Sequence, residues 1–465
     1  MIESIEKVET EKGTLVYHFP RYINYNFVGK LVDGIIYSLD GTICYGLDPD
    51  ENAEHNEKFK NIKILPGTKV IAENAFSDAK SVDSVELPPS VEVIEDKAFA
   101  HSSIKNINLE NVLKFGKSAF AVSWIKYAAI NEHASFDLHP SKDSHCFSNC
   151  LALEKIDFGP SEIPSYLCDD CRALKEFNHK NNITSIGTRA FAKTYELENF
   201  IFPEGLETIH SSAFEYSAIK SAVFPSSLRI IDRYAFIDCD SLSSISFTPS
   251  NTPLSLYNGC FMSTAIEKVT LPKNITLDEP NIFKNCDMLK SAEILSDTDY
   301  IPPETFSDCT SLEHILFNPD IKSVGHNCFS NTGLEKIDEN FKNITFFGYE
   351  CFSACKQLKF AHTSKDAELE THLFADCNNL ELAIIEGAAS AEIIFNNCSK
   401  DLHIIAPLFK KNFYHTEDCL TNYSIEEINK ENIDILLGYM SFKEVSKMLD
   451  NFSLLKTKNS EDFIK

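Results

Sequence analysis

The chain has 465 residues, 43% hydrophobic and 24% charged, a folded composition rather than a disordered one. Its 69 acidic against 43 basic residues leave a net charge of −26, which repels a phosphate backbone and an anionic lipid surface and so points away from nucleic acid as a partner. No apolar run approaches the ~20 residues of a membrane span, so no membrane insertion is expected. The acidic start "MIESIEKVETEKG" lacks the basic, then apolar, pattern of a signal peptide. The expectation is a cytoplasmic protein whose fifteen cysteines stay reduced.

Residues 1–58 read as an N-terminal β cap. "GIIYSLDGTICYGL" sets two β-like runs around Asp40-Gly41, a hairpin signal because glycine permits the positive φ of a tight turn. Residues 59–405 repeat. An "AF" or "CF" pair recurs with its phenylalanine at Phe76, Phe99, Phe120, Phe147, Phe191, Phe214, Phe236, Phe261, Phe283, Phe306, Phe329, Phe352, Phe374 and Phe395. The gap from Phe147 to Phe191 is double, and Leu167 in "YLCDDC" is read as filling the missing place. That makes fifteen units, 319 residues over 14 steps, or about 22.8 per step. Residues 406–465 break the pattern and read as a helical cap. Ser424 with Glu427, and Ser441 with Glu444, are capping boxes that open two amphipathic stretches.

Each unit reads L-x-x-I-x-F/L-P-x-x-L-x-x-I-x-x-x-A-F-x-x-C/S. The alternation in "LEKIDF", Leu153 to Phe158, predicts a short strand. Prolines such as Pro203 and Pro225 stop it, having no N–H to donate. "LRIID", Leu228 to Asp232, predicts a second short strand, and "RYAFIDC" one helical or 3₁₀ turn that drives Phe236 inward. A lone unit cannot bury its own Leu, Ile and Phe; stacked units can, in parallel.

This motif resembles the BspA-like subclass of leucine-rich repeats, found in bacterial and protist surface antigens, over residues 59–405. The resemblance implies a leucine-rich-repeat solenoid of the right-handed α/β horseshoe class, here β-dominated. It would have a parallel β-sheet on its concave face, about 15 repeats, and caps at both ends. It also implies an adhesin or a protein-binding module.

Candidate chemistry is sparse. Cys150, Cys239, Cys286, Cys309, Cys355, Cys377 and Cys398 each follow the marker phenylalanine by three residues, which reads as small buried packing. Cys168 and Cys171 form a CxxC without the strand–helix context of a redox site. His133, His139, His145, Cys146 and Cys150 fall in the longest gap between markers, but their spacing matches no zinc pattern. No phosphate loop and no catalytic motif occurs, so no cofactor, no metal and no catalysis are expected. The informative surface is the outward side of the strands. Its small and polar residues are broken by Ile201, Val223, His314, Leu316, Phe360, His362, Leu382 and Ile384, the candidate contacts for a protein partner. The expected function is a non-catalytic scaffold that binds a protein on the concave face. The second reading is a BspA-like surface antigen that adheres to host or matrix proteins after unconventional export.

Overall fold

The computed structural model describes residues 5–10, 13–18, 27–48, 57–136, 143–180, 183–277, 279–386 and 394–405. The two amphipathic stretches that begin at Ser424 and Ser441 lie outside these residues. The chain divides into two compact units, Met1–Ser255 and Leu256–Lys465. Each is a β-solenoid, with eight marker turns in the first and seven in the second. Among the described residues helix is confined to two short 3₁₀ segments, Glu57–Phe59 and Glu339–Phe341.

The first unit opens with strands β1 (Ile5–Thr10), β2 (Gly13–His18), β3 (Phe27–Val32), β4 (Ile35–Ser38) and β5 (Ile43–Leu47), paired antiparallel in sequence order. The β4–β5 hairpin falls where Asp40-Gly41 places it. Gly41 N–H donates to the Ser38 carbonyl at 2.8 Å. The Asp40 carboxylate accepts from Ser38 Oγ, Thr42 N–H and Thr42 Oγ1, and these bonds, Ser38's foremost, hold its pKa down at about 2. The β3–β4 turn, Asp33-Gly34, carries the same sequence signature and was not singled out above. Both of its residues have positive φ, 52° and 82°, the combination a two-residue hairpin requires. β5 then takes Val70–Ile71 as a parallel neighbour, Ile43 opposite Val70 and Cys44 opposite Ile71. There the antiparallel meander becomes a parallel solenoid.

A typical solenoid turn contributes three layers, though the turn at 197–202 has no strand in the first. The first is the strand of the "LxxIxF" segment, such as Lys155–Phe158, which pairs in parallel with Glu176–His179. The second is a two-residue strand, as in Ser185–Ile186, Thr208–Ile209 and Ile230–Ile231, stacked in register. The third holds the marker residue and is not helical, contrary to the expectation. The residues two before and two after the marker lie at positive φ, for instance Ser212 (54°) and Tyr216 (57°) around Phe214. Successive N–H groups therefore alternate. Ala213 and Glu215 close local bonds to His210 and Ser212 (3.2 and 3.1 Å), while Ser212, Phe214 and Tyr216 donate to Arg233, Ala235 and Ile237 of the next turn (3.0, 2.8 and 3.0 Å). A helix would direct all of these donors within one segment. Left-handed backbone is costly for most side chains, and the β-branched Val122, at φ 60°, is the most strained occupant of this layer.

The ladder also corrects one marker. Phe120 donates to Cys146, the residue before Phe147, and Phe147 donates to Leu167. Leu167 thus occupies the alanine place and Cys168 the marker place. Tyr166 and Asp170 supply the flanking positive φ.

Marker rings form offset stacks. In the first unit Phe76, Phe99, Phe120 and Phe147 follow at 5.2, 5.1 and 5.4 Å, and Phe191, Phe214 and Phe236 at 5.2 and 5.1 Å. Cys168 interrupts that column, and Phe177 meets Phe191 edge-on at 4.7 Å. In the second unit the stack runs from Phe261 to Phe395 with separations of 5.5 to 5.8 Å.

The fourteen cysteines among the described residues are free and buried. Those three past the marker donate Sγ–H to the previous marker's carbonyl, as Cys150 to Phe120 (3.0 Å), Cys171 to Phe147 (2.9 Å) and Cys239 to Phe214 (3.0 Å). The CxxC pair is thus one marker and one packing thiol. Burial pushes the Cys239 thiol up to about 12, and a thiol held neutral is a poor nucleophile. We expect at most one of the fifteen thiols to react with Ellman's reagent in the native protein, Cys419 lying outside the described residues, and all fifteen in denaturant. Two or more fast-reacting native thiols would contradict this packing.

Candidate functional site

Side chains alternate along a strand. In Lys155–Phe158 the buried Ile156 and Phe158 enter the core, while Lys155 and Asp157 turn outward. Repetition of this arrangement gives successive turns an outward side made by the long strands, in several separate sheets. In the first unit it is largely polar, with cross-turn ion pairs such as Lys63–Glu86 (2.8 Å) and Lys155–Glu176 (2.9 Å). Exposed pairs of this kind stabilise by at most about 1 kcal/mol, so they leave the face open to a partner. Ile201 and Val223 interrupt it. The bond from Lys220 N–H to the Glu198 carbonyl, 3.0 Å, sets them at matching places on consecutive turns. They are 73% and 61% exposed.

In the second unit His314 and Leu316 share the strand His314–Phe317 and both face solvent. Phe360, Leu382 and Ile384 do not. Their register is as read, with Lys336 opposite Phe360, Phe360 opposite Leu382 and His362 opposite Ile384. They turn to the outward side, yet are 1%, 1% and 0% exposed. Alternation assigns a side chain to one side of a sheet; it does not keep that side wet, and Leu382–Ile385 is buried on both sides as strands covered twice are. These three residues are therefore core, not an exposed patch. His362 is largely buried beside them, its Nε2 2.7 Å from Glu386 Oε1.

Of the histidines of the long gap, His133 and His145 have separate surroundings. His133 lies exposed beside Glu132 at 3.6 Å. His145 stacks on Tyr166 at 4.3 Å, and burial pulls its pKa below the usual imidazole value. His139 falls outside the described residues. Among the described residues no group of three or more His, Cys, Asp or Glu is placed to hold a metal ion, and no helix is long and apolar enough to cross a membrane.

Two features escaped the sequence reading. Four residues past the marker, consecutive turns present Trp124, Leu151, Arg172 and Tyr195; the three apolar ones are exposed, and the Arg172 guanidinium lies over the Tyr195 ring at 5.9 Å. Counting from the marker would have aligned them had Cys168 been recognised. The second is a groove of about 360 Å³ on the long-strand face, lined among others by Glu86, Asn106, Glu110 and Tyr127. It lies where that sheet breaks, Asn106–Ile107 pairing with Ser84–Glu86 and Tyr127–Ala129 with Lys155–Phe158. The Asn108 carboxamide bonds the Leu87 N–H (2.8 Å) and carbonyl (2.9 Å), substituting for the backbone ladder and ending the strand.

A family model described as "BspA type Leucine rich repeat region (6 copies)" matches residues 50–161, 161–290 and 279–401. The chain belongs to this BspA-type leucine-rich repeat family. Among solved structures it is similar to a leucine-rich repeat protein from Bacteroides ovatus, at 17% identity over 81% of this chain and 98% of that one, TM-score 0.50. It is also similar to a leucine rich cell surface protein from Faecalibacterium prausnitzii, at 18% identity over 81% and 94%, TM-score 0.35. The pneumococcal vaccine antigen PcpA matches at 15% identity over 91% and 99%, TM-score 0.38. No curated protein matches the chain. The BspA-type assignment agrees with the stacked turns and parallel sheets, and the Bacteroides ovatus structure, at 17% identity, bears on fold alone.

Proposed function

We propose that this BspA-type chain is a non-catalytic scaffold that binds a protein partner on its long-strand face. The observation that carries the reading is the pair Ile201 and Val223, two β-branched aliphatic side chains at matching places on consecutive turns, open to water on a largely polar face. Exposed apolar groups rimmed by polar ones are what interface cores are built from. Leu316, exposed on the second unit's strand face beside Glu293, supports the same use there.

The test compares the native protein with the double variant Ile201→Asp, Val223→Asp as affinity bait, with cross-linking to identify what the face holds. Loss of about 2 kcal/mol at an interface core, roughly thirtyfold in Kd, is expected for the partner cross-linked to this face. The circular dichroism should not change, since both side chains are exposed. Retention of that partner at unchanged affinity would remove the reading. Protease shaving of intact source cells tells whether the partner is met inside the cell or at its surface.

A further inference from the structure

The groove between Asn106–Ile107 and Tyr127–Ala129 has chemistry that the Ile201–Val223 patch lacks. Tyr127 forms one wall. Its hydroxyl donates to Asp157 Oδ2 at 2.6 Å, and Asp157 accepts in turn from Asn178 Nδ2 at 2.9 Å. The phenol is thereby fixed, while Tyr127 as a whole remains 42% exposed. Glu110 lines the same groove as Tyr127, and it has no cationic partner among the described residues. Glu86 is neutralised by Lys63. Asn106 is exposed, and its carboxamide makes no hydrogen bond among the described residues. The groove therefore presents a fixed aromatic face, one uncompensated carboxylate and one free amide.

We infer that this groove receives an arginine side chain of the protein partner, its guanidinium laid on the Tyr127 ring and forked onto the Glu110 carboxylate. The inference rests on the scaffold reading and adds the chemistry of one contact. A planar guanidinium can stack on a ring and meet a carboxylate through two parallel N–H bonds at once; an ammonium is a point charge and cannot. The same unit already builds such an arrangement internally. Arg172 lies over the Tyr195 ring at 5.9 Å while its Nε and Nη2 donate to Asp170 at 2.8 and 3.2 Å. At the groove the ring and the carboxylate are in place and the cation is not supplied by the described residues. The ring's anchorage to Asp157 reduces what must be ordered when the cation arrives.

The experiment titrates the full chain into a fluorescently labelled arginine-rich peptide and into its lysine counterpart of equal length, followed by anisotropy. The arginine peptide is expected to bind about five- to tenfold more tightly, and Glu110→Gln or Tyr127→Leu each to weaken it about tenfold, the scale of a charge-assisted or stacked contact. Glu313→Gln, an exposed carboxylate in the second unit, should leave it unchanged. Equal binding of both peptides, or binding indifferent to Glu110 and Tyr127, would mean general attraction to an acidic chain and overturn the inference. So would no binding of either peptide. In each of these cases the scaffold reading still stands or falls separately, on Ile201 and Val223.

Discussion

Replacing Phe214 by alanine should lower the unfolding free energy by about 3–5 kcal/mol, the range for a large aromatic removed from a rigid core. The ring is fully buried. It is stacked at 5.2 Å on Phe191 and 5.1 Å on Phe236, with interplanar angles of 17° and 4°. Phe200 and Phe202 add edge contacts at 5.1 and 5.5 Å. Neighbouring turns cannot close over the void, because their spacing is set by the backbone bonds from Ser212, Phe214 and Tyr216 to the next turn. Urea unfolding followed by circular dichroism measures the loss, and hydrogen exchange locates it. The faster-exchanging amides should lie in the turns holding Phe191, Phe214 and Phe236, since repeats feel their nearest neighbours first. A loss below about 1 kcal/mol would mean that the column does not carry the stability assigned to it.

Gly46→Ala should be comparably severe, at about 3 kcal/mol or more, because two costs coincide there. Its φ is +109°, outside the range an alanine adopts without strain. A Cβ would also lie 1.7 Å from the Ala75 carbonyl oxygen and 2.5 Å from its carbon, backbone atoms that cannot swing aside. β5 would have to part from the first solenoid turn, undoing the junction of Ile43 and Cys44 with Val70 and Ile71. Hydrogen exchange at Lys69 and Ala72, whose N–H groups donate to the Thr42 and Cys44 carbonyls at 2.7 and 2.9 Å, should then accelerate. Unchanged exchange at both would show that the strand can shift without detaching.

Much of this was legible in the chain because the spacing of about 23 residues repeats a complete instruction: strand, proline stop, second strand, buried ring. The errors came where one letter carries less than one position. At 167–168 the marker ring is absent and an adjacent leucine offers itself; the better clue was Cys171, three residues past Cys168 as Cys150 is past Phe147. The marker turn looked helical because its backbone signs are written mostly in Asn, Asp, Ser, Lys and Tyr rather than glycine. Phe360, Leu382 and Ile384 were assigned to the correct side of their strands, but period two does not report whether that side is covered. The patch at Ile201 and Val223 could be read because their exposed neighbours are polar. The Tyr127 groove could not, since it depends on a strand cut short by the Asn108 side chain.

The alternation of local and turn-to-turn N–H bonds makes length a stepped variable in this molecule. A segment of one whole period, such as 203–224, presents the same donors and acceptors at both ends, so its loss or duplication returns the ladder to itself. A segment of half a period would set donor against donor across every layer. Chains built this way grow and shrink by discrete increments, each adding or removing roughly 4.8 Å of sheet. The span of partner they can hold changes in the same increments.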